Sequence, residues 1–234
     1  MGKPELFQLL IFHLGPLTIG PTVLTTWLLM AGLTGFAWFG TRRLSVENPS
    51  SLQTALEGAL LALQQAIEDV APGHARRLLP FIGTLWLFIA TANLIGLVPG
   101  LRSPTGDLSL TVALALLVFL AVHWFGIRGN GLKAYLRHYL DPNPILLPFH
   151  LLGEVTRTLA LAVRLFGNMM SLEMAALLVL LVAGFLAPVP LLMLHIVEAL
   201  VQAYIFGILA LIYIASGLQS QQSRLEQPEG ETHE

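Results

Sequence analysis

Apolar residues gather in five stretches long enough to cross a bilayer, with short polar segments between them, and that alternation predicts the architecture. The first stretch runs from Leu17 to Gly40 and is closed by Thr41-Arg42-Arg43. Its length of about 24 residues suits a hydrocarbon core of ~30 Å. After the turn signal Asn48-Pro49-Ser50, the residues Leu52, Leu56, Leu60, Leu63, Ile67 and Val70 recur at helical spacing. Gln53, Glu57, Gln64, Glu68 and Asp69 fall opposite them, so this segment predicts an amphipathic helix with an acidic face. Such a face fits an interfacial position or a partner helix, and a solvated surface helix is the bland alternative.

The second span covers Leu78 to Val98 and contains Asn93; the third covers Leu108 to Ile127 and contains His123 near its end. The loop between them is Pro99 to Asp107. A polar stretch, Arg128 to Pro148, follows, and its GLKAYLRHYL portion reads as a short interfacial helix. From Phe149 to Ala183 there is no proline. At ~1.5 Å per residue that run would reach ~52 Å, so the helix must tilt steeply or emerge from the membrane. Gly184 to Pro190 makes a turn, and Leu191 to about Ser216 forms the last apolar helix, ~39 Å long by the same rise.

The chain thus reads as an all-α integral membrane protein with a single membrane domain over residues 1–234. It has an N-terminal segment at 1–16, a helical bundle at 17–218 and a polar tail at 219–234, the last expected to be disordered. Five spans, one amphipathic helix and a long tilted terminal hairpin make up the bundle. No repeat or domain boundary is visible.

Composition sharpens this. Of 234 residues, 55% are hydrophobic and 11% charged, and the mean hydropathy is +0.74, whereas a soluble domain usually has about 25% charged residues. No cysteine is present, which removes disulfides, thiolate catalysis and Cys-ligated metals. A net charge of -2 argues against a nucleic-acid partner. The N-terminus carries Glu5 and His13 and lacks a small-residue cleavage site, so it is expected to be retained. With the N-terminus outside, Arg42, Arg43, Arg76, Arg77, Arg128, Lys133, Arg137 and Arg224 fall in the cytoplasm, against Lys3 and Arg102 outside. That excess sets the orientation and places the C-terminus inside.

Chemistry is concentrated in the last two helices. Arg164 sits in LALAVRLFGNMMSLE with apolar residues on both sides, at a cost of roughly 2.5 to 3.5 kcal/mol on insertion-based scales. No carboxylate lies on its own face within four residues. At 100° per residue, Arg157 is about -20° and Asn168 about +40° from Arg164, while Glu173 points about 180° away and ~13 Å along the axis. In the final helix His195, Glu198 and Gln202 stack on one side. Counting from the turn, Glu173, His195 and Glu198 cluster in the outer half, and Gln202 is offset from Arg164 by about six residues, or ~9 Å. Titratable groups on one side of a permanent cation suggest an ion path that ends at the cation. Singly, His195 or Gln202 suits a helix–helix hydrogen bond, Glu173 or Glu198 a neutral structural carboxyl, and Asn93 an interhelical bond. Arg157 either pairs with Glu154 at i,i+3 or continues the stripe inward.

RLFGNM at Arg164 to Met169, Glu173, and HIVEALVQAYIFGIL from His195 to Leu209 resemble subunit a of F-type rotary ATP synthases. The strongest part of the resemblance spans Gly153 to Gln219, and the Asn93 span, Leu97-Val98-Pro99 and the LSLTVALAL run extend it over most of the chain. The resemblance implies a stator subunit beside a ring of c subunits, with Arg164 as the fixed charge separating two offset half-channels. Glu173, His195, Glu198, Gln202 and Asn168 would line the outer path or support the arginine. Asn93, Glu154, Arg157 and His150 are candidates for the inner path or for support. It further implies a multi-pass protein of a bacterial inner (plasma) membrane, proton as the default ion with sodium as the alternative, and a peripheral stalk of subunit b. The catalytic head would be reached only indirectly. The isolated chain would not be an enzyme and would need no cofactor or metal. Two other readings compete. A secondary transporter with a midplane charged site usually shows paired repeats or broken helices, and an intramembrane metalloenzyme would need more than His195 and Glu198 one turn apart.

Overall fold

The structure is a computed structural model that describes residues 12–14, 17–42, 45, 49–98, 103–131, 147–183 and 189–225. Its elements in chain order are strands β1 (Phe12–Leu14) and β2 (Leu17–Ile19), then helices α1 (Pro21–Thr41), α2 (Ser51–Val70) and α3 (Ala75–Ile95). A 3-10 turn, η1 (Pro104–Gly106), precedes α4 (Leu108–Asn130), and two long helices, α5 (Leu147–Ala183) and α6 (Val189–Leu225), complete the chain. Five helices, α1 and α3 to α6, are long and apolar enough to cross a membrane.

Several boundaries differ from the sequence reading. Leu17 to Ile19 does not open the first span; it pairs antiparallel with Phe12–Leu14 in a short hairpin, Phe12 facing Ile19. The helix begins instead at Pro21, capped by Gly20. Proline has no N–H to give, so it is best placed in a first turn, where that donor would be orphaned anyway. The second span sits three residues earlier than expected and includes Arg76 and Arg77. Its helix ends at Ile95, where Gly96 closes it by donating its backbone N–H to Asn93 O at 3.3 Å. The last helix runs through Gln219 to Leu225, which corrects the expectation of disorder from residue 219 onward. Hydropathy marks where a helix leaves the membrane, but Gln and Arg are good helix formers and carry it on into water. The interfacial helix expected within GLKAYLRHYL, and most of the turn at Gly184 to Pro190, lie outside the described residues.

Local chemistry accounts for the joints. Ser50 caps α2 by accepting from Gln53 N at 3.2 Å. The Gln53 side chain exchanges two bonds with the Ser45 backbone and a third with Glu57. The α2–α3 corner turns on Gly73, at φ 75, whose N–H donates to Glu68 Oε1 at 2.6 Å. Asp107 caps α4 through Ser109 N at 2.9 Å.

The core lies where α6 packs on α3 and α4 while α5 packs on α4. Leu78, Ile82, Ile89, Val118, Leu161, Leu165, Phe206, Leu211 and Ile214 fill it. Helix α2 enters it through Ile67 at its C-terminal end. Little of α1 or α5 is covered. Each of the last two helices has 37 residues and so extends ~56 Å, well beyond one hydrocarbon thickness. At the end of the bundle that holds the N-terminus of α3 and the C-termini of α1 and α4, Arg42 lies over Trp38, Arg77 over Phe125 and Arg128 over Trp124. Side chains of this kind keep their charge at a water interface.

Candidate functional site

Arg164 is exposed on α5. The adjoining side of that helix supplies Leu161, Ala162, Leu165, Met169 and Leu172 to the interior. Arg164 lies at the edge of the exposed face, which also carries Ala160, Val163 and Ser171. Among the described residues it has no hydrogen bond or ion pair.

One turn along, Asn168 Nδ2 donates to Gln202 Oε1 at 2.6 Å, and Gln202 is fully buried. This link places residue 168 level with residue 202. Arg164 and Gln202 are then about four residues apart in register, ~6 Å, in place of the six residues counted from the turn.

On the far side of Asn168 from Arg164, a buried polar row joins four parts of the chain. Ser103 N donates to Glu173 Oε1 at 3.3 Å. Ser103 Oγ lies 2.7 Å from Thr105 Oγ1, and Thr105 Oγ1 donates to Asn93 Oδ1 at 2.6 Å. Asn93 Nδ2 donates to Ala199 O at 3.1 Å, and His195 Nε2 lies 3.4 Å from Asn93 O. Asn93, Ser103, Thr105 and His195 are all buried, Asn93 and Thr105 fully. Buried polar groups need such partners, and a row of them brings helices α3, α5 and α6 to one place around η1. Glu173 and His195 accordingly attach at opposite ends of the row. Among the described residues, no hydrogen bond or ion pair joins Glu173, His195 and Glu198 directly; Glu173 and His195 are connected through the row. Glu198 is half-buried and outside the row.

At the other end of α5, Arg157 pairs with Glu154 at 3.5 Å and lies 5.5 Å from the Tyr213 ring centroid. His150 is exposed in the first turns of the same helix. Among the described residues, no three His, Cys, Asp or Glu side chains converge as a metal site would need.

Sequence reasoning missed Ser103 and Thr105. Between Pro99 and Asp107 they read as loop filler, although small hydroxyl residues beside Pro104 and Gly106 fit a tight turn folded back into protein. It also missed Asp107. Burial by itself would raise that carboxyl, but bonds from the Ser109 hydroxyl and backbone and from Thr22 outweigh it and hold the group below the usual range.

Residues 23–215 match the family model described as ATP synthase A chain. A protein of Pelobacter propionicus named ATP synthase subunit a 2 is 63% identical over 222 residues, covering 95% of this chain and 97% of its own length. ATP synthase subunit a 1 of Hahella chejuensis is 63% identical over 207 residues, 88% of each chain. ATP synthase subunit a of Legionella pneumophila (strain Corby) is 54% identical over 222 residues, 95% of this chain and 96% of its own.

Proposed function

The chain belongs to the ATP synthase A chain family, as an ion-translocating subunit a of the membrane sector, and from that premise we propose that Arg164 is the fixed stator charge of a rotary motor. Its counterpart is a carboxylate on each subunit of an adjacent c-ring, and it separates two offset half-channels. Subunit b of the peripheral stalk is the other direct partner, and through it the catalytic head. In this reading the N-terminus lies outside and the C-terminus in the cytoplasm, supported by the excess of basic residues at one end of the bundle.

One observation carries the reading: a permanent cation emerges on an exposed helix face with no anion beside it among the described residues of its own chain. Left in lipid, that charge is costly. A carboxylate presented by a neighbour answers it, and a moving neighbour can present one after another. The Glu173, Asn93 and His195 row, together with Glu198, lies on the outer side of Arg164 and suits an entry path. Glu154, Arg157 and His150 lie on the inner side.

The working cycle follows from charge alone. A ring carboxylate takes a proton from the outer path, becomes neutral and can enter lipid. After the turn it releases the proton to the inner path, and the ionised carboxylate meets Arg164. Guanidinium keeps its proton at any workable pH, so it blocks direct passage between the two paths; a lysine, able to deprotonate when desolvated, would do so less securely. Each charge crossing yields ~2.3 kcal/mol per 100 mV, and a leak discards it.

The test is Arg164→Ala in the assembled complex, in sealed vesicles with an imposed proton gradient. Gradient-driven ATP synthesis is expected to vanish while the head stays bound to the membrane. Normal coupled synthesis would overturn the proposal. Synthesis that persists without sodium fixes the ion as the proton.

A further inference from the structure

Ser103 holds a position that its residue type does not announce. Its N–H donates to Glu173 Oε1 at 3.3 Å, its hydroxyl donates to Ala92 O at 2.9 Å, and the same oxygen lies 2.7 Å from Thr105 Oγ1. It is 4% exposed, and its two hydroxyl contacts are buried, while Glu173 is half-buried. Glycines flank it on both sides. A Cβ at Gly106 would stand 3.4 Å from both Glu173 carboxylate oxygens, and one at Gly96 would stand 3.0 Å from Ser103 Cβ. The η1 turn therefore backs directly onto the carboxylate, and the serine is wedged against α3.

The hydroxyls and the N–H behave differently. Asn93 Oδ1 and Ala92 O are carbonyl oxygens and can only accept. The two hydroxyl protons of Ser103 and Thr105 thus serve three oxygen–oxygen contacts, at 2.9, 2.7 and 2.6 Å. Whichever two are filled, one stays empty, and the pair rearranges by hydroxyl rotation with no heavy atom moving. The backbone N–H has no such freedom. It holds Oε1 and leaves Oε2 as the oxygen that can exchange a proton.

We infer that Ser103 is a positioning residue for Glu173: its N–H fixes one carboxylate oxygen, and its hydroxyl ties the η1 turn to α3 so that this hold does not drift. The role rests on the placement of Glu173 in the outer path proposed above. It acts through Glu173 and does not require Ser103 itself to carry a proton.

The experiment is a double-mutant cycle in the assembled complex in membrane vesicles, with gradient-driven ATP synthesis measured per head bound. Ser103→Ala removes the hydroxyl. Ser103→Pro also removes the N–H, and the native φ of -61 and ψ of 124 suit a proline ring. Ser103→Ala is expected to lower synthesis about fivefold and Ser103→Pro about tenfold or more, while Ser103→Thr keeps most of it, a span typical of residues that act through one another. In a Glu173→Gln background, neither Ser103→Ala nor Ser103→Pro should lower the rate further. If Glu173→Gln leaves too little synthesis to measure, Glu173→Asp replaces it in the cycle. Equal losses with and without the native Glu173 would overturn the inference, as would full activity in both single variants. If Ser103→Pro does not assemble, Ser103→Ala in the Glu173 background decides. Arg164→Ala in the same vesicles separates the two claims: its loss of synthesis alongside additive Ser103 effects sinks only the role of Ser103, whereas its normal coupling sinks the stator reading.

Discussion

Asn168 Nδ2 donates to Gln202 Oε1 at 2.6 Å, and that bond leaves Gln202 Nε2, on a side chain 2% exposed, with no partner among the described residues. The link locks two long helices in register one turn from Arg164. It also leaves the donor end of a buried amide without an acceptor among the described residues. An ionised carboxylate or an ordered water would meet that need.

Asn168→Leu strips Gln202 of its remaining hydrogen bond. A buried amide left wholly unpaired costs about 1 to 3 kcal/mol, so the complex should lose thermal stability and ATP synthesis together. Adding Gln202→Leu removes both partners and should restore most of the stability without restoring synthesis. A double variant as unstable as Asn168→Leu alone would show that packing, and not the amide pair, sets the loss.

Gly207 on α6 faces Trp86 on α3, and a methyl group there would run into the indole ring. That indole donates from Nε1 to Tyr204 O at 3.2 Å and stacks on the Tyr204 ring at 5.8 Å. Gly207→Ala must therefore push Trp86 out of place, an overpacking cost of about 1 to 3 kcal/mol. Reduced subunit content in the membrane and a lower unfolding temperature are expected. Trimming the obstacle with Trp86→Leu in the Gly207→Ala background should recover part of both.

Much of this fold can be read from the sequence because lipid imposes one rule on five segments: bury no unpaired backbone and keep about 20 residues apolar. The amphipathic helix over Ser51–Val70 and the polar stripe His195, Glu198 and Gln202 follow from periodicity in the same way. Ser103 and Thr105 do not, because a hydroxyl in a loop carries no periodic signal and becomes informative only once η1 is seen folded between α3 and α5. The hairpin of Phe12–Leu14 with Leu17–Ile19 was hidden because its apolar residues blend into the span that follows. Hydropathy does not distinguish a three-residue strand from a helix start, and the helix in fact begins at Pro21.

The cap of α4 predicts a pH dependence. Asp107 accepts from Ser109 N at 2.9 Å and from the Ser109 hydroxyl. Burial alone would raise this carboxyl, and the bonds from Ser109 and Thr22 lower it on balance. A depressed carboxylate contributes stability above its unfolded value, about pH 4 for aspartate, and loses it as the pH falls through the folded value. Asp107→Ala should thus cost about 1 kcal/mol at neutral pH, and the gap to the parent chain should close below about pH 4. Unfolding midpoints of the detergent-solubilised complex, taken across that range, provide the check. A gap that stayed constant to pH 3 would assign the loss to something other than the ionised cap.

Among the described residues, helix α2 packs on the core through its C-terminal half, and the consequence is measurable. Ile67 is 0% exposed, whereas Leu56, Leu60 and Leu61, on the N-terminal part of the same helix, are exposed. If α2 is held by its C-terminal turn, Ile67→Ala should cost about 2 to 5 kcal/mol, the range for a truncated core aliphatic. Leu60→Ala should change the stability of the isolated subunit by no more than about 0.5 kcal/mol. Limited proteolysis offers the most direct view, because a loosened α2 would be cut between Ser51 and Val70 in Ile67→Ala but not in Leu60→Ala. A Leu60→Ala effect that appears only in the assembled complex would mean that the free apolar stripe is covered there by another subunit or by lipid. Equal sensitivity of the two variants in the isolated chain would show instead that the whole length of α2 is seated on the bundle.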